Sequence, residues 1–183
     1  MSTKTWSLSA KLLIGRLLTR SGDQAWDFAV PLALLSLVPG EVRVAALYYL
    51  IVRLFLVVLL PRITALIDEM NRLRAARLGI SLQFIGVLLG AIAFFALSYF
   101  KSQSLTVSSP QIIGAFLVLL FGGVLSSFGS SFMDIAIAND LVPSGISEAE
   151  LTAFNSRFRQ VDLFTEVAAP IAAGFLLVMG SSD

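Results

Sequence analysis

Two aspartates, Asp23 and Asp27, lie one helical turn apart inside a long apolar stretch of this chain. Arg16, Thr19 and Arg20 precede them at spacings of three and four residues, which places all five side chains on one stripe of a helix. Ionisable groups in an apolar helix are costly unless they face a cavity, a partner or a bound ion. The stripe predicts either a cation site or a charge cluster in which the arginines neutralise Asp23.

A second polar stripe occurs near the end of the chain, in "FNSRFRQVDLFTE". Asn155, Arg159, Asp162 and Glu166 follow one another at steps of four, three and four residues, and therefore share one helix face. Arg159 and Asp162 have the spacing of an internal salt bridge. A whole polar face is better explained by contact with another polar helix or with a water-filled cavity.

The composition indicates a membrane protein. Of 183 residues, 57% are hydrophobic and only 14% are charged, against about 25% charged in soluble domains. The chain has no cysteine and no histidine, so a metal site would use oxygen ligands, with methionine sulfur as the one soft alternative. A net charge of +1 argues against a nucleic-acid partner. No phosphate-binding glycine loop, nucleophile elbow or His-Glu metal motif is present, so we predict no enzyme.

Five apolar segments predict an all-α, polytopic transmembrane helix bundle. Each segment reaches the roughly 20 residues that cross a bilayer, and the predicted spans are about 9–38, 43–67, 73–100, 109–140 and 147–180. The turn "VPGE" separates the first two spans. Ser109 and Pro110 suit the first positions of the fourth span, and Ser147 with Glu150 forms a capping-box pattern before the fifth.

The distribution of lysine and arginine predicts the orientation. Cytoplasmic loops of membrane proteins carry an excess of these residues. One side has Lys4, Lys11, Arg62, Arg72, Arg74, Arg77, Arg157 and Arg159, whereas the other has only Arg43 and Lys101. We therefore expect an integral protein of the plasma (inner) membrane with its N-terminus in the cytoplasm.

Several runs of this sequence resemble the ferroportin family, iron exporters within the major facilitator superfamily. They are "SGDQAWDFAVPLALLSL", "IDEMNRLRAARLGISLQF", "AIANDLV" and "NSRFRQVDLFTEVAAPIAAG", in this order. The resemblance covers most of the chain and implies that residues 1–183 are the N-terminal lobe of a facilitator fold, with five of its six helices. The sixth helix and the C-terminal lobe would then be absent, as in a fragment, one half of a split protein or a truncated product.

The resemblance also implies a metal site. Asp23 matches the first-helix aspartate that binds the transported metal, and Thr19 lies one turn earlier. Gln83 matches a third-helix glutamine that shares a calcium site with the same aspartate. Asp27 stands where animal members carry a histidine, and a carboxylate also suits Fe²⁺.

A cytoplasmic inner gate is the third implication of the resemblance. Asp68 and Arg72 match a latch between the second and third helices. Its implied partners on the fourth and fifth helices are Asp140, Asn155, Arg159 and Asp162.

The function predicted from these features is export of a divalent metal, Fe²⁺, by alternating access, with proton exchange, calcium dependence and no organic cofactor. The expected partners are the metal, the lipid bilayer and the C-terminal lobe, in the same chain or a separate one. Two alternatives stay open. One is a facilitator for an organic solute, in which Arg53, Arg16 and Arg20 bind an anion. The other is a non-transporting membrane subunit that docks a partner lobe.

Overall fold

The computed structural model describes residues 8–38, 40–104, 106, 108–136 and 148–180. In these ranges the chain forms five helices and no strand, which confirms the predicted all-α class. The helices are α1 (Leu8–Leu37), α2 (Val42–Asp68), α3 (Arg72–Ser102), α4 (Pro110–Ile135) and α5 (Glu148–Gly180). Their ends lie within two residues of the predicted spans, except that the predicted fourth span continues to 140, outside the described residues.

The chain divides into two compact units. Unit 1 comprises Met1–Val30 and Ile137–Asp183, and unit 2 comprises Pro31–Ala136. The described part of unit 1 consists of most of α1 together with α5, whereas unit 2 holds the end of α1 and all of α2, α3 and α4. The division falls next to Pro31, which lies inside α1 and cannot donate a helical hydrogen bond.

The two units differ in how their helices suit a membrane. Among the described residues, α2, α3 and α4 are long and apolar enough to cross a bilayer. α1, most of which belongs to unit 1, has 30 residues, and α5 has 33, about 45 and 50 Å at 1.5 Å per residue. Both helices are therefore long enough to cross a bilayer, but each has a polar stripe within its apolar sequence.

Glycines bring α3 and α4 together in unit 2. Gly79, Gly86 and Gly90 of α3 meet Gly122 and Gly129 of α4 in antiparallel order. A Cβ at Gly122 would lie 2.7 Å from the Gly86 carbonyl oxygen, and one at Gly129 would lie 2.5 Å from the Gly79 carbonyl oxygen. The backbones themselves are therefore in contact. Small residues permit such close approach of membrane helices. Packing and polar contacts hold these helices together, because lipid gives no hydrophobic driving force for their association.

Apolar side chains complete unit 2. Where α2 crosses α4, the Tyr48 ring occupies the space that a side chain at position 123 would need, and Gly123 leaves that space free. A buried cluster also joins one end of the three helices; it consists of Ile63, Ile67, Ala75, Phe132 and Ala136. Unit 2 is thus a tightly packed apolar scaffold.

The ends of the helices follow the predicted turn chemistry in part. Gly40 has a φ of +84°, which glycine adopts without strain, in the predicted turn between α1 and α2. Ser109 and Pro110 occupy the N-cap and the first turn of α4, although the Ser109 side chain makes no capping hydrogen bond. Asn71 caps α3, since its Oδ1 accepts from the Leu73 N–H at 3.1 Å. Ser147 of the predicted capping box lies outside the described residues.

Candidate functional site

A buried ion pair joins α1 to α5. Arg16 Nε donates to Asp162 Oδ1 at 2.7 Å, and Arg16 Nη2 donates to Asp162 Oδ2 at 3.1 Å. The two side chains are only 7% and 8% exposed. The guanidinium carbon also lies 4.7 Å from the centre of the Phe158 ring. A bidentate pair of this kind satisfies both charges where water cannot, which is what burial of two ions requires.

Arg20 extends the pair by one helical turn. Its Nε lies 3.7 Å from Asp162 Oδ1, and its Nη2 lies 4.0 Å from Glu166 Oε1. Arg20 is 21% exposed and Glu166 is 42% exposed, so this end of the cluster is more accessible. Thr165 is fully buried beside it and donates from Oγ1 to the Asp162 carbonyl oxygen at 2.8 Å. The four charged side chains form what we call the α1–α5 charge cluster: Arg16, Arg20, Asp162 and Glu166.

The contacts also fix the relative direction of α1 and α5. Arg16 meets Asp162, Arg20 meets Glu166, and Phe28 lies beside Gly174, where a Cβ would be 3.6 Å from the Phe28 ring. Residue numbers therefore rise together along the two helices, which run parallel. This is the direction expected for the first and fifth of five successive crossings.

The structure gives Asp162 a partner that helix spacing did not suggest. Arg159 was the local candidate, because it lies three residues before Asp162. The Asp162 carboxylate instead accepts from Arg16, which is 146 residues away in sequence. Pairs on an exposed helix surface contribute only a few tenths of a kcal/mol, so the contact between α1 and α5 decides the partner. The suggested pairing of Arg16 and Arg20 with Asp23 stays a prediction.

The two helices that meet at the charge cluster share a repeated spacing in the sequence. α1 and α5 contain the same pattern, an arginine followed by acids three and seven residues later and a proline eleven residues later. Its members are Arg20, Asp23, Asp27 and Pro31 in α1, and Arg159, Asp162, Glu166 and Pro170 in α5. Because proline has no N–H, the carbonyls of Asp27 and Glu166 each lose their usual helical donor.

The predicted metal ligands on α1 lie next to the charge cluster. Asp23 and Asp27 are half-buried in unit 1. Thr19 donates its hydroxyl proton to the Gly15 and Arg16 carbonyl oxygens, at 3.0 and 3.2 Å, so its lone pairs remain available to a cation. The part of the chain that the structure describes contains no group of three or more acidic side chains placed to hold a metal.

Gln83, the fourth predicted ligand, belongs to unit 2. It lies on α3, half-buried, where the Gln83 backbone faces Gly129 of α4. Asp23 belongs to unit 1, so a joint role for Asp23 and Gln83 stays a prediction.

The predicted inner-gate residues have contrasting environments. Asp68, Asn155 and Arg159 are exposed, whereas Asp162 is buried in the charge cluster. Asp140 lies outside the described residues, and Arg72 is described only as the first residue of α3. The gate as a set is therefore still a prediction, and Asp162 has a strong partner of its own.

A cavity of about 250 Å³ in unit 2 does not suit a metal ion. Its lining is apolar, with Leu34, Leu97 and Phe116 among the side chains, and Lys101 is its one charged residue. Lys101 Nζ donates to the Ser36 carbonyl oxygen at 2.7 Å. An apolar wall with an ammonium group repels a cation, so the polar stripe of α1 is the better candidate.

Comparison with known proteins identifies the family to which this chain belongs. The family model described as Ferroportin1 (FPN1) matches residues 7–183. With helices that are apolar enough to span a bilayer, the chain is an integral membrane protein, and it belongs to the ferroportin family.

Relatives in this family cover nearly the whole chain. Ferreportin of Bdellovibrio bacteriovorus is 45% identical over 169 residues, which are 92% of this chain and 38% of that protein. Human ferroportin is 28% identical over 178 residues, which are 94% of this chain and 31% of that protein. The chain therefore spans less than two fifths of the length of these relatives.

Solved structures show the same helical arrangement. A bacterial homologue of the iron transporter ferroportin, crystallised in an outward-facing state with soaked iron, matches with a TM-score of 0.88 and 44% identity, over 93% of this chain and 43% of that one. The inward-facing state of a bacterial homologue matches with a TM-score of 0.83 and 44% identity, over 94% of this chain and 43% of that one.

Proposed function

We propose that this chain is the N-terminal lobe of a divalent-metal exporter that carries Fe²⁺ out of the cell. Membership of the ferroportin family supports metal transport, and the described part of α1 places two half-buried carboxylates, Asp23 and Asp27, in a helix of membrane-spanning length. Acids inside a membrane helix are retained for ions, protons or partners. The polar stripe of α1 is the observation that supports this proposal most directly.

In the proposed cycle, Asp23 binds the metal with help from Asp27 and the Thr19 hydroxyl. Transport would follow alternating access, in which the two lobes rock around a site near the middle of the membrane. The inner gate would close on the cytoplasmic side when the metal is released outside. The gate would consist of Asp68, Arg72, Asp140, Asn155, Arg159 and Asp162, and Asp162 would also connect it to α1 through Arg16.

Proton exchange is part of the same proposal. A carboxylate that holds a proton has lost the charge that attracts a metal, so Asp23 binds one or the other. Protons entering from outside would displace the metal at low external pH and return inward on the emptied site. The plasma membrane with a cytoplasmic N-terminus is the orientation that we propose for this cycle.

Calcium dependence is a further part of the proposal, and it follows from the resemblance of Asp23 and Gln83 to the calcium site of the ferroportin family. Ca²⁺ prefers six to eight oxygen ligands. Asp23 and the Gln83 amide would supply oxygens, and Thr19 directs its proton away, to the Gly15 carbonyl. We expect Ca²⁺ to raise the melting temperature of the protein and Gln83→Leu to abolish that rise. An equal rise in both proteins would contradict the assignment of Gln83.

The organic-solute alternative is weakened by the structure. It requires Arg53, Arg16 and Arg20 to bind an anionic solute, but Arg16 is buried against Asp162. Organic anions would have to displace that carboxylate. The metal proposal needs no such exchange.

A flux assay tests the proposed function. When this lobe is joined to a C-terminal lobe, the purified protein in liposomes that contain a metal-quenched dye should take up Fe²⁺ and Co²⁺, and Asp23→Ala should abolish the uptake. Glu41→Gln is the matched control, because it removes one exposed acid from the turn between α1 and α2. Uptake that persists in Asp23→Ala, or that organic anions block while metals do not compete, would contradict the proposal.

A further inference from the structure

The apolar cavity of unit 2 lies where four helix ends meet. Its lining comes from the end of α1, the first turns of α2, the last turns of α3 and the first turns of α4. Because α2, α3 and α4 are each long and apolar enough to cross a bilayer, their ends lie near a membrane surface. In the predicted orientation this is the outer surface. The cavity is therefore within reach of lipid headgroups and of the acyl chains just below them.

The lining of the cavity suits a hydrocarbon chain. Leu34 and Leu97 are buried on its inner wall, whereas Leu47 and Ile113 are exposed. All four lie within the terminal two turns of their helices, so the cavity opens sideways, toward lipid. An apolar cavity of about 150 Å³ stays dry and binds benzene, and this one has a volume of about 250 Å³. A hydrocarbon chain inside it would gain van der Waals contacts that an empty space lacks.

Lys101 gives this apolar site a positive charge. It is the charged residue of the described lining, and its Nζ donates to the Ser36 carbonyl oxygen at 2.7 Å. Ser36 has one of the last four carbonyls of α1, which lack a helical donor, so this bond holds the ammonium beside the end of α1. An ammonium has three N–H donors, and the bond to Ser36 uses one of them. The Lys101 ammonium is therefore positioned to donate to an anion at the edge of the cavity.

The place of Lys101 in the sequence supports a role beyond topology. Lysine and arginine are depleted on the outer side of membrane proteins, and Arg43 and Lys101 are the only two on the predicted outer side of this chain. Both are exposed, but Arg43 is not part of the cavity lining. The cation that accompanies the cavity is thus Lys101, and Arg43 provides a matched comparison.

We propose that this cavity binds an anionic phospholipid of the membrane, with part of one acyl chain in the apolar interior and the phosphate against the Lys101 ammonium. An acyl chain gains no hydrophobic free energy when it leaves the surrounding lipid, so the apolar walls alone do not distinguish one phospholipid from another. The charge-assisted hydrogen bond from Lys101 to the phosphate supplies the preference for an anionic lipid. This inference does not depend on the proposed metal site.

Native mass spectrometry of the purified protein in detergent tests the headgroup contact. Phosphatidylglycerol, which is anionic, and phosphatidylcholine, which is zwitterionic, are added with identical acyl chains. We expect the parent to bind phosphatidylglycerol about fivefold more tightly, the factor that one lysine near a membrane surface contributes. Lys101→Gln should abolish this preference, whereas Lys101→Arg, which keeps the charge, and Arg43→Gln should retain it. If Lys101→Gln keeps the preference, or if Arg43→Gln loses it to the same extent, the inference is wrong.

A second pair of variants tests the position of the acyl chain. Leu97→Phe adds volume to the inner wall of the cavity and should weaken the binding of both lipids. Leu50→Phe is the matched control, because Leu50 is exposed on α2 outside the lining, and it should bind them as the parent does. Melting temperatures of all variants report folding. Equal lipid binding by Leu97→Phe and the parent would place the chain elsewhere and contradict the inference.

One measurement on the parent alone distinguishes a lipid from a free phosphate. Glycerol 3-phosphate has the phosphate of phosphatidylglycerol but no acyl chain, so we expect it not to displace the bound lipid at equal concentration. Displacement as effective as that by phosphatidylglycerol itself would mean that Lys101 binds small anions and that the cavity contributes nothing. That result would overturn the proposal even if Leu97→Phe failed to fold.

Discussion

The helices of the two units are held together by different kinds of interaction. In unit 2, α3 and α4 approach so closely that glycine backbones touch, and Ser126 is the buried polar side chain at that contact. In unit 1, α1 and α5 are held by a buried, bidentate ion pair and a second arginine. Close apolar packing builds a rigid scaffold, whereas charges in a helix pair create a site whose state can change with a bound ion.

Function should be sought where charges interact. Apolar contacts have no charge to change, so the contact between α3 and α4 in unit 2 should respond little to protons or metals. Unit 1 has four interacting charges beside two further acids, and any change in one charge alters the balance of the rest.

Asp162→Asn should have the largest effect on stability. It leaves the Arg16 guanidinium, 7% exposed, without its bidentate partner. Removing one member of a buried ion pair lowers the free energy of unfolding by about 3–5 kcal/mol. Thermal or denaturant unfolding in detergent micelles should show this loss, and Arg16→Gln added to Asp162→Asn should recover most of it. An Asp162→Asn protein as stable as the parent would contradict the buried pair.

Gly86→Ala should have the next largest effect, and it breaks unit 2. The new Cβ would overlap the Ser126 backbone nitrogen and lie 2.6 Å from the Gly122 carbonyl oxygen. The backbone cannot rotate away as a side chain can, so α3 and α4 must separate. This should lower the free energy of unfolding by about 1–3 kcal/mol.

Gly114→Ala is the matched control for this prediction. It lies in α4, but a Cβ there would meet nothing within 4 Å. Because alanine favours a helix over glycine by up to about 1 kcal/mol, this variant should be as stable as the parent or more so. If both substitutions lower the melting temperature equally, backbone contact is not what joins α3 and α4.

Metal affinity should depend on pH through unit 1. The charged carboxylate binds the metal and the protonated one does not, so affinity is full at high pH and falls as pH falls. With one carboxylate competing, the decrease is at most about tenfold per pH unit. Calorimetric titration of Co²⁺ between pH 5 and 8 measures it, and the Gly114→Ala protein should follow the parent. A flat profile would remove proton competition from the proposal.

Glu166→Gln alone should have the smallest effect on stability. Glu166 is 42% exposed, and its oxygen lies 4.0 Å from Arg20. Pairs of this kind contribute about 0–1 kcal/mol. A melting temperature close to that of the parent would show that Glu166 stabilises the protein much less than Asp162 does. A decrease in melting temperature as large as that of Asp162→Asn would mean that Glu166 is a main support of the cluster.

Local sequence patterns predicted the helices of both units. Apolar length and turn residues placed five helices correctly, because helix formation depends on neighbouring residues. Polar stripes on α1 and α5 were also visible, since helical spacing alone defines a face. The partner of Arg16 was not predictable by the same rules, because Asp162 lies 146 residues away and only tertiary packing brings them together.

The packing face of α4 shows the same limit. α4 contains four serines, Ser126, Ser127, Ser130 and Ser131, and helical spacing alone does not tell which of them face a neighbouring helix. In the structure, Gly122, Ser126 and Gly129 are buried, while Ser131 Oγ donates to the Ser127 carbonyl within α4. Which small residues meet a neighbour depends on the rotation of the helix, and the surrounding helices set that rotation.

Calorimetric titration of Fe²⁺ into the purified protein, with Asp23→Ala and Glu41→Gln measured beside it, tests the central claim that the charged helix pair of unit 1 carries the function. We expect the parent and Glu41→Gln to bind the metal, whereas Asp23→Ala should not bind it. Equal binding in all three proteins would place the metal elsewhere and contradict the assignment of function to the polar stripe of α1.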